Sequence, residues 1–494
     1  MTTKTKPPAN VRSVESTMRN TVSGLEAVLD TYRAAAGLAP VTASPALLAA
    51  VASPMTPARL RGELVARSRE AKRPKYRSDQ LLVTIDPSVA GSVRARAGRT
   101  ASLVADPLGG PFAALEREGL IEDVTAVGAP RQARVGIAAR GLRSLAASVD
   151  AGVDEELVGV NVVRLAPGAP LAEVVRRLDD VPAVREIERV PYRTIAPPSR
   201  PRPLAAARAA RRARPWNYDA IGWESINPPN ARALRVAVLD TGVDDGHPDL
   251  AIASYEHGEV TAEDIVGHGT HVCGIIAGKA SRRGAFVGGV SNPALHVWKI
   301  FSDEPDPDTG EYYVDEILYQ RALVAALRSG CRVLNLSIGG EGTTSRERAL
   351  FRRLVSAGTV IVAAMGNEYE DGNPTEYPAA HPGVIAVGAV GRDLTRAPFS
   401  NTGSHIALVA PGVDILSTLP GQESDARAET EHAAWDGTSM ATPHVAGAVA
   451  RLLAVDPDLT PEQVKEELQR TAKPLPRMNG RSWTRLYGAG LLQI

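Results

Sequence analysis

Trp435-Asp436-Gly437-Thr438-Ser439-Met440-Ala441-Thr442-Pro443-His444-Val445-Ala446-Gly447 places a serine hydroxyl at the entrance to a helix. Gly437 permits a sharp bend and leaves space for another molecule to approach. Pro443 is expected in the first turn, where a missing N–H costs little. The apolar run beyond it, through Val449 to Leu453, reads as a buried helix. Its N-terminus offers unpaired N–H groups and a partial positive charge. Standing alone, Thr-Ser before an apolar run is most often a cap. With a base beside it, the same serine could attack a carbonyl while nearby N–H groups hold the oxyanion.

Two upstream segments can supply the base and the acid that orients it. Arg235-Val236-Ala237-Val238-Leu239-Asp240-Thr241-Gly242 has an apolar run with the length of a buried parallel strand, then a carboxylate, then a glycine turn. Asp240 would stand at the carboxyl end of that strand, where open α/β sheets place their sites. Gly267-His268-Gly269-Thr270-His271-Val272-Cys273-Gly274-Ile275-Ile276-Ala277-Gly278 carries small residues that permit close helix packing, with His268 at its start. Taken singly, a strand-end Asp-Thr-Gly is ordinarily a turn former, and a lone His before glycine is structural or on the surface.

Together these stretches resemble the subtilisin-like serine protease (subtilase) family, whose triad follows the order Asp, His, Ser along the chain. The resemblance implies Asp240 as orienting acid, His268 as general base and Ser439 as nucleophile. A fourth stretch, Ile361-Val362-Ala363-Ala364-Met365-Gly366-Asn367, resembles the family strand whose terminal asparagine donates its amide to the oxyanion. Asn367 takes that role here, beside the N–H of Ser439. Val333-Leu334-Asn335-Leu336-Ser337-Ile338-Gly339-Gly340 resembles the strand that pairs with the substrate backbone and walls the first specificity pocket. Ser337, Ile338, Gly339 and Gly366 are therefore implied substrate contacts. The fold implied over residues 216–494 is α/β, a parallel sheet with helices on both faces. The implied activity is peptide-bond hydrolysis by an endopeptidase that needs no cofactor for its chemistry. His271 and His444, each near a candidate catalytic residue, read as packing or hydrogen-bonding groups.

Composition is that of an ordinary globular enzyme. The 494 residues suggest two or three domains, and 44% are hydrophobic. Only two cysteines occur, Cys273 and Cys331, so the chain is no disulfide scaffold. Cys273 reads as core packing. The first forty residues are polar and charged, with no apolar segment after a basic start, and no run is long enough to span a membrane. The expectation is a cytoplasmic protein, with secretion by a non-standard route as the alternative. The formal net charge of zero hides a split. Residues 1–215 hold 33 Lys+Arg against 21 Asp+Glu, a net of +12, and the remainder holds the compensating −12. Halves of opposite sign attract. The arginines are scattered, aromatics are scarce, and nucleic-acid binding is not expected.

Periodicity organises the basic half. Residues 11–36 and 56–72 read as helices of an N-terminal extension (1–75) with room to act as an interaction module for an activating or regulatory protein. Leu81-Leu82-Val83-Thr84-Ile85 reads as a strand and Ser88 to Ala97 as a helix, with an insertion expected near 100–150. Val158 to Leu165 reads as a strand, Pro170 to Leu178 as a helix, and Val184 to Val190 as a half-buried strand. This unit (76–196) resembles the end of a subtilase propeptide, a small α+β domain of the ferredoxin-like kind. The resemblance implies a zymogen whose own propeptide is an intramolecular inhibitor, with its tail in the substrate cleft. A Pro/Arg-rich linker (197–215) follows, extended by its prolines. It reads either as a solvated basic linker or as an autoprocessing site. Pro215 after Arg214 disfavours a cut there, which leaves Arg211 and Arg212 as candidates.

Specificity and metal binding are read by position. The resemblance to the family implies that Glu376, in Glu376-Tyr377-Pro378, lies near the base of the first pocket, where a carboxylate would pair with a substrate Arg or Lys. The same resemblance implies that the acidic loop Asp303-Glu304-Pro305-Asp306-Pro307-Asp308 borders more distant pockets, where it would favour basic side chains. Family members bind structural calcium through an aspartate matched by Asp249 and through a loop that here reads Lys279-Ala280-Ser281-Arg282-Arg283-Gly284. Cations there repel calcium, so that site is expected to be absent. Two functions compete with this reading: a protease held silent by its N-terminal region until a partner protein activates it, and a non-proteolytic scaffold on the same fold, which the complete candidate triad disfavours.

Overall fold

Strand β1 (Tyr76–Ile85) lies inside a four-stranded antiparallel sheet, between β3 (Val160–Leu165) and β4 (Val184–Pro191), with β2 (Ile121–Ala126) beyond β3. The computed structural model describes residues 74–86, 111–127, 157, 159–195, 215–223, 230–258, 260–280, 288–306, 309–421 and 432–494, all within the unit Arg67–Ile494. The helices expected at 11–36, 56–72 and 88–97, the linker with Arg211 and Arg212, and most of the loop after Lys279 lie outside the described residues.

Helices α1 (Pro111–Arg117) and α2 (Leu171–Asp179) complete a β-α-β-β-α-β order, the ferredoxin-like arrangement. Leu81, Val83 and Ile85 of β1 pack with Phe112, Leu115, Val174 and Leu178. The alternate residue Leu82 joins Val160, Val162 and Val190 in a second core shared with the larger body. Each face of β1 thus has its own partner, which is why the strand reads as a continuous apolar run. Helix α1 and strand β2 occupy the stretch where an insertion was expected. A seven-residue helix anchored by Phe112 and Leu115 is too short to impose a helical period on its sequence.

The larger body begins with the short helix α3 (Trp216–Ala220) and is built on a seven-stranded sheet. Its strands are β5 (Arg235–Asp240), β6 (Ile252–Glu256), β7 (Ala294–Lys299), β8 (Val333–Leu336), β9 (Val360–Ala364), β10 (Val384–Val390) and β11 (Ile406–Pro411). The order is β11-β10-β9-β8-β5-β7-β6, and every pairing is parallel. Val236 and Val238 of β5 face one core, Ala237 and Leu239 the other. Helices α4 (His268–Ala277), α7 (Thr438–Val455) and α8 (Pro461–Thr471) cover the first face. Helices α5 (Glu316–Arg328) and α6 (Ser345–Ser356) cover the second. A small hairpin, β12 (Ile415–Thr418) and β13 (His432–Trp435), leads into α7.

The chain order decides where a site can form. From β5 the chain fills one side with β6 and β7, then crosses to the other with β8. The switch point therefore lies between β5 and β8, and a crevice opens at their carboxyl ends. Asp240 is the last residue of β5, and Ser337 follows the last residue of β8.

Helix α7 corrects the expected position of Pro443. The helix starts at Thr438, so the proline stands in the second turn. It lacks the N–H that would bond the Ser439 carbonyl four residues back. The Ser337 hydroxyl donates to that carbonyl instead, at 3.0 Å.

Candidate functional site

Asp240 is fully buried, and its Oδ1 accepts from His268 Nδ1 at 2.7 Å and from the Thr241 N–H at 2.7 Å. His268 opens helix α4 directly after Gly267, and the ring is held by what surrounds that helix entrance. Asp264 accepts from the N–H groups of Gly267 and Thr270, both at 2.9 Å, and from the Thr241 hydroxyl at 2.7 Å. The Thr241 oxygen in turn accepts from the Gly269 N–H at 2.9 Å. With Nδ1 donating to Asp240, Nε2 is left as the basic nitrogen, and it has no hydrogen-bond partner among the described residues.

Ser439 is the second residue of α7, which packs against α4. Its hydroxyl donates to the Ser337 carbonyl at 3.1 Å, while the Ser337 hydroxyl donates to the Ser439 carbonyl. The two serines are therefore locked reciprocally, and Ser439 Oγ is not bonded to His268. Asn367 follows β9, and its side-chain oxygen accepts from the N–H and the hydroxyl of Thr438, both at 2.9 Å. That fixes the amide and leaves its NH2 group to face the same crevice as the N–H groups of the first helical turn.

The expected substrate contacts converge. Ser337, Ile338, Gly339 and Gly366 line one pocket with Asn367, Ser439 and Glu376. Glu376 is buried and projects between the two glycines. A Cβ on Gly339 would lie 2.0 Å from Glu376 Oε2, and one on Gly366 would lie 2.6 Å from it. Gly366 also has a φ of +98°, so glycine is required there on two counts.

Something already lies along the edge of that pocket. After β4 the chain runs on as Tyr192-Arg193-Thr194-Ile195. Thr194 exchanges both backbone hydrogen bonds with Gly339, at 3.1 and 3.2 Å, in an antiparallel pair. On its other side the Arg193 carbonyl accepts from the Val314 N–H at 2.9 Å. The tail of the small domain is thus a strand inserted between two segments of the larger body. Its Arg193 side chain is buried, with Nη2 2.6 Å from Glu347 Oε2 and Nη1 3.7 Å from Glu316 Oε2. Burial alone would raise the Glu347 carboxyl, but Arg193, then His381 and Thr343, hold it down at about 2. At Glu316 burial wins over the more distant guanidinium, and its carboxyl is pushed up to about 7.

Sequence reasoning missed Glu316 and Glu347 and looked to the acidic loop instead. Of that loop's described carboxylates, Asp303 is bonded to Lys299 at 2.7 Å and Asp306 lies 3.4 Å from Arg77 of the small domain. The two decoy histidines are structural. His271 stacks on Trp435 at 4.7 Å and bonds the Ala433 carbonyl; burial lowers it to about 3. His444 donates from Nδ1 to the Met440 carbonyl and is lowered by burial to about 4. Cys273 and Cys331 are buried free thiols. At the expected calcium position His432 lies 3.0 Å from the Asp249 carboxylate, and Lys279 Nζ donates to the Leu250 carbonyl at 3.2 Å. Among the described residues no group of three or more His, Cys, Asp or Glu could hold a metal ion.

This is an α/β protein with a candidate serine-nucleophile site at the switch point of its sheet. Residues 231–490 match the model of the subtilase family, and the chain belongs to that family. Subtilisin amylosacchariticus of Bacillus subtilis subsp. amylosacchariticus is 38% identical over 268 residues, 53% of this chain and 64% of that relative. The chain thus spans under two thirds of that relative's length. Subtilisin of Bacillus pumilus is 38% identical over 267 residues, 53% of this chain and 89% of that relative. The crystal structure of fervidolysin from Fervidobacterium pennivorans, a keratinolytic enzyme related to subtilisin, matches with a TM-score of 0.60 at 25% identity. It covers 86% of this chain and 61% of fervidolysin, more than residues 231–490 can supply, so the likeness extends into the preceding residues.

Two outcomes follow from this geometry. Ser337→Ala leaves the Ser439 carbonyl without the donor that replaces Pro443's missing N–H. Stability should fall by about 1–3 kcal/mol, read from denaturant unfolding. Glu316 has a folded pKa near 7 against an ordinary 4.5, so the folded state keeps a proton that the unfolded chain releases in that interval. Stability then falls as pH rises from about 4.5 to 7. Glu316→Gln removes that loss, so its melting temperature relative to wild type should be higher at pH 8 than at pH 5.

Proposed function

We propose that this chain is a serine endopeptidase, made as a zymogen whose residues 76–196 inhibit it. The observation that carries the catalytic reading is the buried 2.7 Å bond between Asp240 and His268 at the same crevice as Ser439 and Asn367. In this reading Ser439 Oγ turns from the Ser337 carbonyl to His268 Nε2, gives up its proton, and attacks the scissile carbonyl. Asp240 holds the imidazole and stabilises its cation. The Asn367 amide and the Ser439 N–H take the oxyanion. His268 then returns the proton to the leaving amine, and water repeats the sequence on the acyl-enzyme. No cofactor enters these steps.

The inhibitory role of the small domain is supported by the Thr194–Gly339 pair, which occupies the strand edge a substrate would need. Residues 1–75 remain a candidate docking segment for a regulatory protein. Glu376 between Gly339 and Gly366 favours Arg or Lys in the first pocket, and this makes Arg211 and Arg212 reasonable processing sites. While Thr194 holds the edge, the linker cannot occupy it. Cleavage at Arg211 or Arg212 is then made by a copy whose tail has left. The two buried free thiols favour a reducing, cytoplasmic setting. The calcium position does not suit the ion, because Lys279 already takes the Leu250 carbonyl and His432 faces Asp249.

Purified wild type beside Ser439→Ala tests the reading. Wild type should fragment within 197–214 after a lag that shortens with concentration, and the variant should stay whole. Equal fragmentation of both would sink it. Asn367→Ala should lower turnover of a peptide substrate by about 10²–10³. Chelator should leave the melting temperature of the full chain unchanged; a drop of several degrees would restore a structural calcium.

A further inference from the structure

We infer that the buried acidic pocket around Arg193 is a specificity pocket for an arginine side chain of the substrate, contributed by the residue just before the one that pairs with Gly339. The inference rests on the endopeptidase reading and adds a second selected residue to it. The backbone of the tail already has a substrate's position, bonded on one side to Gly339 and on the other to Val314. Whatever strand replaces it along that edge must direct its own side chain, one residue before the Gly339 pair, to where Arg193 now goes.

The groups that bond the guanidinium all belong to the larger body. Nη2 of Arg193 donates to Glu347 Oε2 at 2.6 Å and to the Gly342 carbonyl at 3.2 Å. The guanidinium carbon lies 5.2 Å from the Tyr319 ring centroid, and Glu316 closes the far side. Glu347 is held independently of the arginine. Tyr319 OH donates to its Oε1 at 2.8 Å, and the Thr343 hydroxyl donates to its Oε2 at 2.7 Å. The carboxylate therefore stays in place when the tail departs. Both glutamates are almost wholly removed from water, 3% and 1% exposed, so an apolar occupant would strand them. A lysine could supply charge but not the planar fork that directs separate nitrogens to Glu347 and Glu316. The pocket selects arginine over leucine or alanine by the penalty those residues incur as much as by the bond arginine makes.

The test uses the full chain carrying Arg193→Ala and Ser439→Ala, which empties the pocket and prevents cutting. Labelled peptides with a Tyr-Xaa-Thr-Ile frame, Xaa being Arg, Leu or Ala, are titrated by fluorescence anisotropy. The tethered tail competes equally with all three, so the ratios are unaffected. The Arg peptide should bind at least about tenfold tighter than the Leu peptide, and Glu347→Gln in the same background should reduce that ratio to threefold or less. Binding within twofold for all three peptides overturns the inference, as does a preference that survives Glu347→Gln. If Arg193→Ala fails to fold by circular dichroism, Arg193→Lys is titrated with the same peptides under the same criteria. Hydrolysis of the peptides by Arg193→Ala with Ser439 intact is scored separately. Selective binding without hydrolysis keeps the pocket and sinks the endopeptidase reading; hydrolysis without selectivity does the reverse.

Discussion

A carboxylate with no access to water, Asp240, ends β5, an interior strand of the sheet, and the crevice is organised around its bond to His268. Its Oδ1 takes the Thr241 N–H and the His268 ring, and the turn that brings His268 there is tied down by Asp264. A buried charge left unpaired would cost several kcal/mol. The histidine that pairs with it is consequently fixed in orientation, and its free nitrogen is aimed by structure rather than by chance. Placing this pair at a switch point means that β8 and β9 deliver Ser337 and Asn367 to the same opening. Fold and site are one constraint here, because a different strand order would separate those ends.

The opposed charges of the two halves find only part of their expression at the junction described. Arg77 meets Asp306 and stacks over Tyr313 at 4.1 Å, while Glu188 accepts from the Ser345 N–H at the entrance to α6. The Arg77–Asp306 pair is buried but long, at 3.4 Å, and Arg77 shares its charge with the more exposed Asp79 at 2.8 Å. Arg193 is different in kind. Its partners are buried, and Glu316 remains poorly matched to it, with a carboxyl raised to about 7. Binding of the tail therefore combines an apolar sheet interface, through Leu82, Val162 and Val190, with one charge whose removal would leave two acids in the dark.

Much of the candidate site was legible because its signals are local in the chain. Asp240, His268, Asn367 and Ser439 each sit in a short stretch whose glycines and apolar runs announce a strand end or a helix start. The misplaced proline shows the limit of that reading. The start of α7 is set by the backbone at Gly437, not by the position of Pro443, and the orphaned carbonyl is rescued by a residue 102 positions away. Glu347 was hidden more thoroughly. Thr344-Ser345-Arg346-Glu347 has the spacing of a capping box, and Thr344 does cap the helix, yet the glutamate turns to an arginine 154 residues upstream. Glu316, directly after the capping Asp315, likewise reads as an ordinary first-turn acid. Long-range ion pairs leave no periodicity, so no inspection of either segment alone would have joined them. Helix α1 and β2 were lost for a related reason, being too short to carry a period.

The reciprocal bonds between Ser337 and Ser439 join strand pairing to chemistry. In an antiparallel ladder, the hydrogen-bonded pair after Thr194–Gly339 falls two residues further along each strand, which puts a substrate N–H opposite the Ser337 carbonyl. That carbonyl is the acceptor now used by Ser439 Oγ. A strand that continues the register therefore competes with the Ser439 hydroxyl for its present acceptor. In the proposed reading the hydroxyl displaced from Ser337 turns to His268 Nε2, which has no hydrogen-bond partner among the described residues. A peptide too short to reach that rung, or one with proline at it, would bind along Gly339 without releasing the serine. In the proposed endopeptidase reading, substrate alignment and activation of Ser439 are then the same event, driven by one backbone N–H.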